Sequence, residues 1–212
     1  MPDRRQHANH PVCTEGDVPA HPTETKPATR KPEGWEIPYL PGALVIVPPV
    51  PIRQRIDRLR RKYDLASARR IPAHISVAQP FRAEPDKAAL AQVQEVLGRF
   101  RPFVVKYGPL RNFLPYPCIW YEIQPAELIV EMRRALHATG LFNTDLPFTE
   151  GFIPHMSITH GSPGPEETLW IFNRIKSRVQ NGSFPVESII YTRPDWQSRF
   201  LTVTELRLGK ST

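Results

Sequence analysis

The chain has 212 residues, 40% of them apolar, and carries a formal net charge of +7. That length suits one domain, or one domain of two lobes, with a real core. No apolar run approaches the roughly 20 residues of a membrane-spanning helix, and the opening MPDRRQHANH lacks the apolar stretch of a secretory signal, so the expected location is the cytoplasm.

Residues 1–34 hold five basic residues (Arg4, Arg5, Lys26, Arg30, Lys31) and five acidic ones (Asp3, Glu15, Asp17, Glu24, Glu33). They show no apolar periodicity, which predicts a disordered extension. The whole positive charge therefore belongs to residues 35–212, and a basic core suits a polyanionic partner such as RNA or a nucleotide. Cys13 lies in this extension and Cys118 in an apolar segment. That separation argues against a disulfide, and two cysteines alone make no zinc site.

From Trp35 onward strand and helix patterns alternate. Residues 43–48 (ALVIVP) read as a buried strand. Pro51 opens a helix to about Tyr63, with Ile52, Ile56, Leu59 and Tyr63 on one face and arginines on the other. Residues 73–79 read as a strand, 86–100 as a helix and 103–107 as a strand. The order then repeats, with a strand at 118–123, a helix at 125–139 stopped by Gly140, and a strand at 152–159. A helix at 165–181 and strands near 185–192 and 199–208 complete the chain. Each half runs strand, helix, His-bearing strand, helix, strand. The expected fold is α+β, with two pseudo-symmetric lobes of antiparallel sheet, helices packed outside and a central cleft.

Two segments, PAHISVAQ and IPHMSITH, both read Pro, then His-apolar-Ser-apolar. Strand side chains alternate faces, so His74 and Ser76 share one face, as do His155 and Ser157. The bare pattern His-x-Ser/Thr is unspecific: His21, His137 and His160 satisfy it too. Their contexts differ, because His21 lies in the extension, His137 at a helix end, and His160 before the turn-like Gly161-Ser162-Pro163. Only His74 and His155 sit inside alternating strands, at corresponding places in the two halves.

These tetrads, His74-Ile75-Ser76-Val77 and His155-Met156-Ser157-Ile158, resemble those of the 2H phosphoesterase superfamily, in particular its 2′-5′ RNA ligase-like and cyclic phosphodiesterase branches. The resemblance covers about residues 40–208. Many bacterial members carry Thr where this chain has Ser76 and Ser157. It implies a phosphoesterase that hydrolyses 2′,3′-cyclic phosphates, or cleaves or joins 2′-5′ RNA linkages. One histidine would act as base on the attacking oxygen and the other as acid on the leaving ribose oxygen. The expectation for opening a cyclic phosphate is His155 as base and His74 as acid, with Ser76 and Ser157 donating to the phosphoryl oxygens. Expected partners are RNA termini or nucleotide 2′,3′-cyclic phosphates, and the expected state is a monomer.

No HExxH, paired Cys-x-x-Cys or acidic ligand cluster is present, so neither a metal nor another cofactor is expected and a two-metal nuclease is disfavoured. The lack of a glycine-rich phosphate loop argues against an ATP-dependent ligase. Arg69 and Arg70, just before the first tetrad, are candidates for substrate phosphates, or belong to a solvated loop. The arginines of helix 51–63 (Arg53, Arg55, Arg58, Arg60, Arg61) read as a solvated face. Tyr116, Trp120, Phe152 and Tyr191 fit stacking on a base or plain core packing. The rival reading from another class is a non-catalytic RNA- or nucleotide-binding module using the same basic cleft.

Overall fold

The computed structural model describes residue 34 and residues 37–147, 149–161 and 163–210. The extension expected over residues 1–34 thus lies outside the described residues apart from Gly34, as do Cys13, His21 and Ser162. Eight strands are described: β1 (Ala43–Ile46), β2 (Ile75–Ser76), β3 (Phe103–Asn112), β4 (Cys118–Gln124), β5 (His155–His160), β6 (Gly182–Val186), β7 (Ser188–Pro194) and β8 (Phe200–Arg207). The helices are α1 (Val50–Tyr63), α2 (Leu65–Arg70), α3 (Lys87–Leu97), α4 (Ala126–His137) and α5 (Pro165–Ile175).

The strands form two four-stranded antiparallel sheets with orders β2-β1-β7-β8 and β5-β4-β3-β6. β1 lies inside its sheet, and its four residues, Ala-Leu-Val-Ile, are all buried, as expected of a continuous apolar run. β2 and β5 are edge strands of their sheets; β5 begins at His155, whereas His74, expected inside a strand, lies one residue before β2. β2 pairs with β1 so that Ser76 faces Val45, and β5 pairs with β4 so that Ser157 faces Trp120. The two edges lie against each other, which brings the two tetrads together between the sheets.

The lobes are not the two contiguous halves of the chain. β3, which closes the first half, pairs with β4 and β6 of the second sheet, while β7 returns to pair with β1. The first half therefore contributes β3 to the second sheet, and the second half contributes β7 and β8 to the first. The segment expected as one strand, 185–192, is split between β6 and β7, which belong to different sheets.

Helix positions follow from local chemistry. Pro51 sits in the first turn of α1, and Arg60, Arg61 and Lys62 occupy its last turn, where cations complement the helix dipole. Asp86 caps α3 through Ala89 N at 2.8 Å. α5 packs on β3 and β4, α1 on β5, and α3 on α4 and β8. One core includes Leu44, Ile75, Leu97, Tyr121, Met132 and Met156.

Several boundaries differ from expectation. β2 is two residues long, not seven, because Pro72 and Pro80 flank it and it has only β1 for a partner. β5 begins at His155, so Phe152 precedes the ladder. α5 stops at Ile175, where Arg178 and Val179 both donate to its carbonyl in a closing turn. Residues 65–70, read as loop, form α2. Its start is set by Asp64, whose carboxylate accepts from Ser67 N at 3.0 Å, a cap signal present in the sequence.

Candidate active site

The two imidazoles are held by the same device. His74 Nδ1–H donates to the Pro72 carbonyl at 2.8 Å, and His155 Nδ1–H donates to the Ile153 carbonyl at 2.8 Å. In each case the acceptor is two residues upstream. A carbonyl accepts only, so the proton sits on Nδ1 and Nε2 carries the lone pair of the neutral ring. Both rings are only partly buried. Ser76 shares the face of His74, and Ser157 that of His155.

The surroundings of the two rings differ. Burial lowers the His74 pKa to about 4, and the Arg60 guanidinium adds to this, as do His155 and His160. His155 is also lowered by burial, opposed by its carbonyl bond, with no cation among the causes. It lies between aromatic rings instead, 5.7 Å from Trp120 and 6.4 Å from Phe152. Phe152 in turn lies under the Arg133 guanidinium at 4.1 Å.

Arg60 corrects the expected solvated arginine face. It is 2% exposed and points between α1 and β5. Its Nη1 donates to Ser157 O at 2.8 Å and its Nη2 to Ile71 O at 2.9 Å, so it ties the second tetrad to the approach of the first. Asp57 lies 3.4 Å from Nε, an ion-pair contact longer than a good hydrogen bond, and also accepts from Ala73 N at 2.8 Å. Asp64, equally buried, accepts from His160 N at 2.8 Å as well as capping α2. Helical periodicity cannot show this, because position 60 falls just beside the apolar stripe of Ile52, Ile56 and Leu59.

A third histidine joins the pair. His155 and His160 are five residues apart, so a regular strand would put them on opposite faces. The ladder skips one residue: Ile119 pairs with Thr159 and Trp120 with Ser157, leaving Ile158 as a bulge. His160 consequently pairs with Cys118 and shares the face of His155 and Ser157. Tyr116 OH lies 3.2 Å from His160 Nε2. His160, set aside from sequence because it precedes a turn, is the functional candidate that sequence reasoning missed, since a bulge leaves no mark in residue type.

The remaining candidates separate. Tyr116, 40% exposed, borders the site through His160, and Phe152 borders it through His155. Tyr191 does not: it is 2% exposed, donates to Pro41 O at 2.8 Å and packs edge-on against Phe81. It pairs with Leu44, on the sheet face opposite Ser76, and is core. Arg69 and Arg70 sit on α2 and line a cavity with Ala66, Gln197, Ser198 and Arg199, none of them a tetrad residue. Cys118 Sγ lies 3.9 Å from Ser157 Oγ, and burial raises its pKa to about 11, so it is an inert neighbour. Among the described residues no group of three or more His, Cys, Asp or Glu side chains is arranged to hold a metal ion, and no helix is long and apolar enough to cross a membrane.

The histidines also set a pH dependence. His137 accepts from Gln79 N at 3.1 Å, and burial together with Arg133 lowers its pKa to about 4, as at His74. The unfolded chain, with pKa 6.5, binds more protons than the folded one between these values. The stability contributed by the neutral rings is thus complete above pH 6.5 and lost as pH falls toward 4. Melting temperature is expected to fall over that window, and less steeply in His137→Gln, whose amide oxygen keeps the Gln79 bond. Equal slopes for the two proteins would contradict this account.

A family model described as the 2′-5′ RNA ligase superfamily matches residues 48–195. Among solved structures, Escherichia coli LigT complexed with 3′-AMP is 16% identical, with 78% of this chain and 96% of that chain covered and a TM-score of 0.52. TT0787 of Thermus thermophilus is 15% identical, with 80% and 98% covered and a TM-score of 0.52. At such identities these likenesses show the fold. No curated protein sequence matches the chain. With the family model spanning well over half of its residues, the chain belongs to the 2′-5′ RNA ligase superfamily, among the 2H phosphoesterases.

Proposed function

We propose that this chain is a metal-independent phosphoesterase acting on RNA-type phosphodiesters, opening 2′,3′-cyclic phosphates or cleaving and joining 2′-5′ linkages. One observation carries the reading: two imidazoles on adjacent sheet edges, each with Nδ1–H tied to the carbonyl two residues upstream and each beside a serine. Such a pair supplies one proton acceptor and one proton donor around a single phosphorus.

For a 2′,3′-cyclic phosphate, water attacks phosphorus and loses a proton to one Nε2. The bond from phosphorus to a ribose oxygen breaks, and the other Nε2–H protonates that oxygen, leaving a ribose 2′- or 3′-phosphate. The base must be neutral near pH 7 and the acid charged. Arg60 opposes charge on His74, so His74 is the base. His155 is the acid: the anionic phosphate draws a proton onto it, and its aromatic neighbours tolerate the cation. The roles then stand in the opposite order to the expectation from sequence, His155 as base and His74 as acid. Ser76 and Ser157 hydroxyls donate to the phosphoryl oxygens.

The test is hydrolysis of a nucleoside 2′,3′-cyclic phosphate in excess EDTA. Turnover is expected to stay within about twofold of that without chelator, since no step asks for a Lewis acid. A tenfold loss restored by added Mg²⁺ or Zn²⁺ would remove the metal-independent mechanism. Binding without turnover of cyclic phosphates and 2′-5′ linked oligonucleotides would favour the non-catalytic module.

A further inference from the structure

The helix after β1 and the helix after β4 carry matching octads, IDRLRRKY at 56–63 and IVEMRRAL at 129–136. Each reads Ile, two residues, Leu or Met, Arg-Arg, one residue, then Tyr or Leu. The first arginine of the pair stands four residues after the isoleucine, so it turns inward with it. Arg60 is 2% exposed and Arg133 4%, and among the described residues no other arginine is buried.

Their contacts match as well. Arg60 donates to the Ile71 carbonyl, three residues before His74, and to the Ser157 carbonyl, two residues after His155. Arg133 makes the reverse crossing. Its guanidinium lies 4.1 Å from the centroid of the Phe152 ring, three residues before His155. Its Nη1 donates to the Val77 carbonyl, three residues after His74, in a long bond of 3.5 Å. Each buried cation thus reaches from the approach to one histidine to the end of the other tetrad. Between Arg133 and His155 stands Phe152, its ring 6.4 Å from the imidazole, with Trp120 flanking at 5.7 Å. The carbonyl that accepts from His155 Nδ1–H belongs to Ile153, the residue next to Phe152.

We propose that Arg133 is a positioning residue for the phosphoesterase reaction: through Phe152 it fixes the His155 imidazole so that Nε2–H points at the leaving oxygen. This rests on the reading of His155 as the acid and deepens it. Arg133 touches neither substrate nor reacting atoms. A single Nδ1–H bond leaves an imidazole free to swing about it, and the flanking rings limit that swing. A cation over the face of Phe152 holds the ring in place, because the attraction weakens as the ring tilts or slides away. Only arginine combines a flat face for the ring with a fork that reaches the Val77 carbonyl.

The experiment measures kcat and KM of Arg133→Met and Arg133→Lys on a nucleoside 2′,3′-cyclic phosphate and on a p-nitrophenyl phosphodiester. In Arg133→Met, kcat on the cyclic phosphate is expected to fall about tenfold or more, with KM within about twofold. The p-nitrophenyl ester, whose leaving group needs little protonation, loses less than about threefold. Arg133→Lys keeps a cation over the ring and recovers part of the loss. Phe152→Leu serves where Arg133→Met does not fold; it gives the same split between the esters, and the double variant loses nothing further. Equal losses on the two esters, or losses that add in the double variant, overturn the proposal. A second arm reads the His155 ring by ¹⁵N NMR, its signals assigned with His155→Ala. The wild type shows one tautomer, protonated on Nδ1, and Arg133→Met a mixture. Such mixing without turnover of either ester supports the positioning role while sinking the hydrolase. An unchanged His155 signal in folded Arg133→Met overturns the role.

Discussion

Alanine at His74 or at His155 is expected to lower kcat/KM on a nucleoside 2′,3′-cyclic phosphate by roughly 10²- to 10⁴-fold, the range of a lost general acid or base. Neither change should unfold the protein, because each ring is only partly buried and gives up one bond to a backbone carbonyl. The two variants are not expected to behave alike on every substrate. A phosphodiester whose leaving group is an acidic phenol needs little protonation on departure. His155→Ala, lacking the acid, therefore keeps a much larger share of wild-type activity on a p-nitrophenyl ester than on the cyclic phosphate. His74→Ala, lacking the base, stays impaired on both. The opposite pattern would return the roles to the order expected from sequence, and turnover surviving both substitutions would sink the two-histidine mechanism.

Replacing Arg60 by methionine should have the largest effect on stability. The side chain is 2% exposed, and its loss leaves the Ser157 and Ile71 carbonyls without their donor and Asp57 without its ion partner. Breaking a buried ion pair from one side costs about 3–5 kcal/mol. At about 2–4 °C per kcal/mol for a chain of this size, the melting temperature should drop by roughly 6–20 °C. Below that temperature a second effect appears, which a purely structural role would not produce. Without the cation, His74 protonates more readily, so the acid limb of the kcat/KM profile moves to higher pH. A melting change under about 2 °C, or an unmoved acid limb in the folded variant, would contradict the role given to Arg60.

Asp64 shows how such effects combine. One carboxylate oxygen accepts from Ser67 N at the start of α2, and the other accepts from His160 N at the end of β5. The sequence shows the first as a cap signal three residues ahead of its partner. The second joins residues 96 apart and depends on where β5 comes to rest. The same division holds at Tyr116. From sequence it fitted stacking on a base or core packing, whereas its contact with His160 follows from the bulge at Ile158.

What the sequence determined by itself was local: the alternation that places His74 with Ser76 and His155 with Ser157, and the order of most strands and helices. Alternation and helical periodicity are properties of neighbouring residues, so they survive without the rest of the fold. The tertiary structure decided which strands share a sheet, and thus that β3 joins the second lobe, that β7 and β8 join the first, and that β2 meets β5. It also decided that Tyr191 turns into the core, that Arg60 is buried against both tetrad segments, and that three arginines border one cavity. Each of these depends on pairing register and on contacts between distant segments. One residue of slip reverses every side chain of a strand, and nothing in the local pattern specifies the partner against which that register is set.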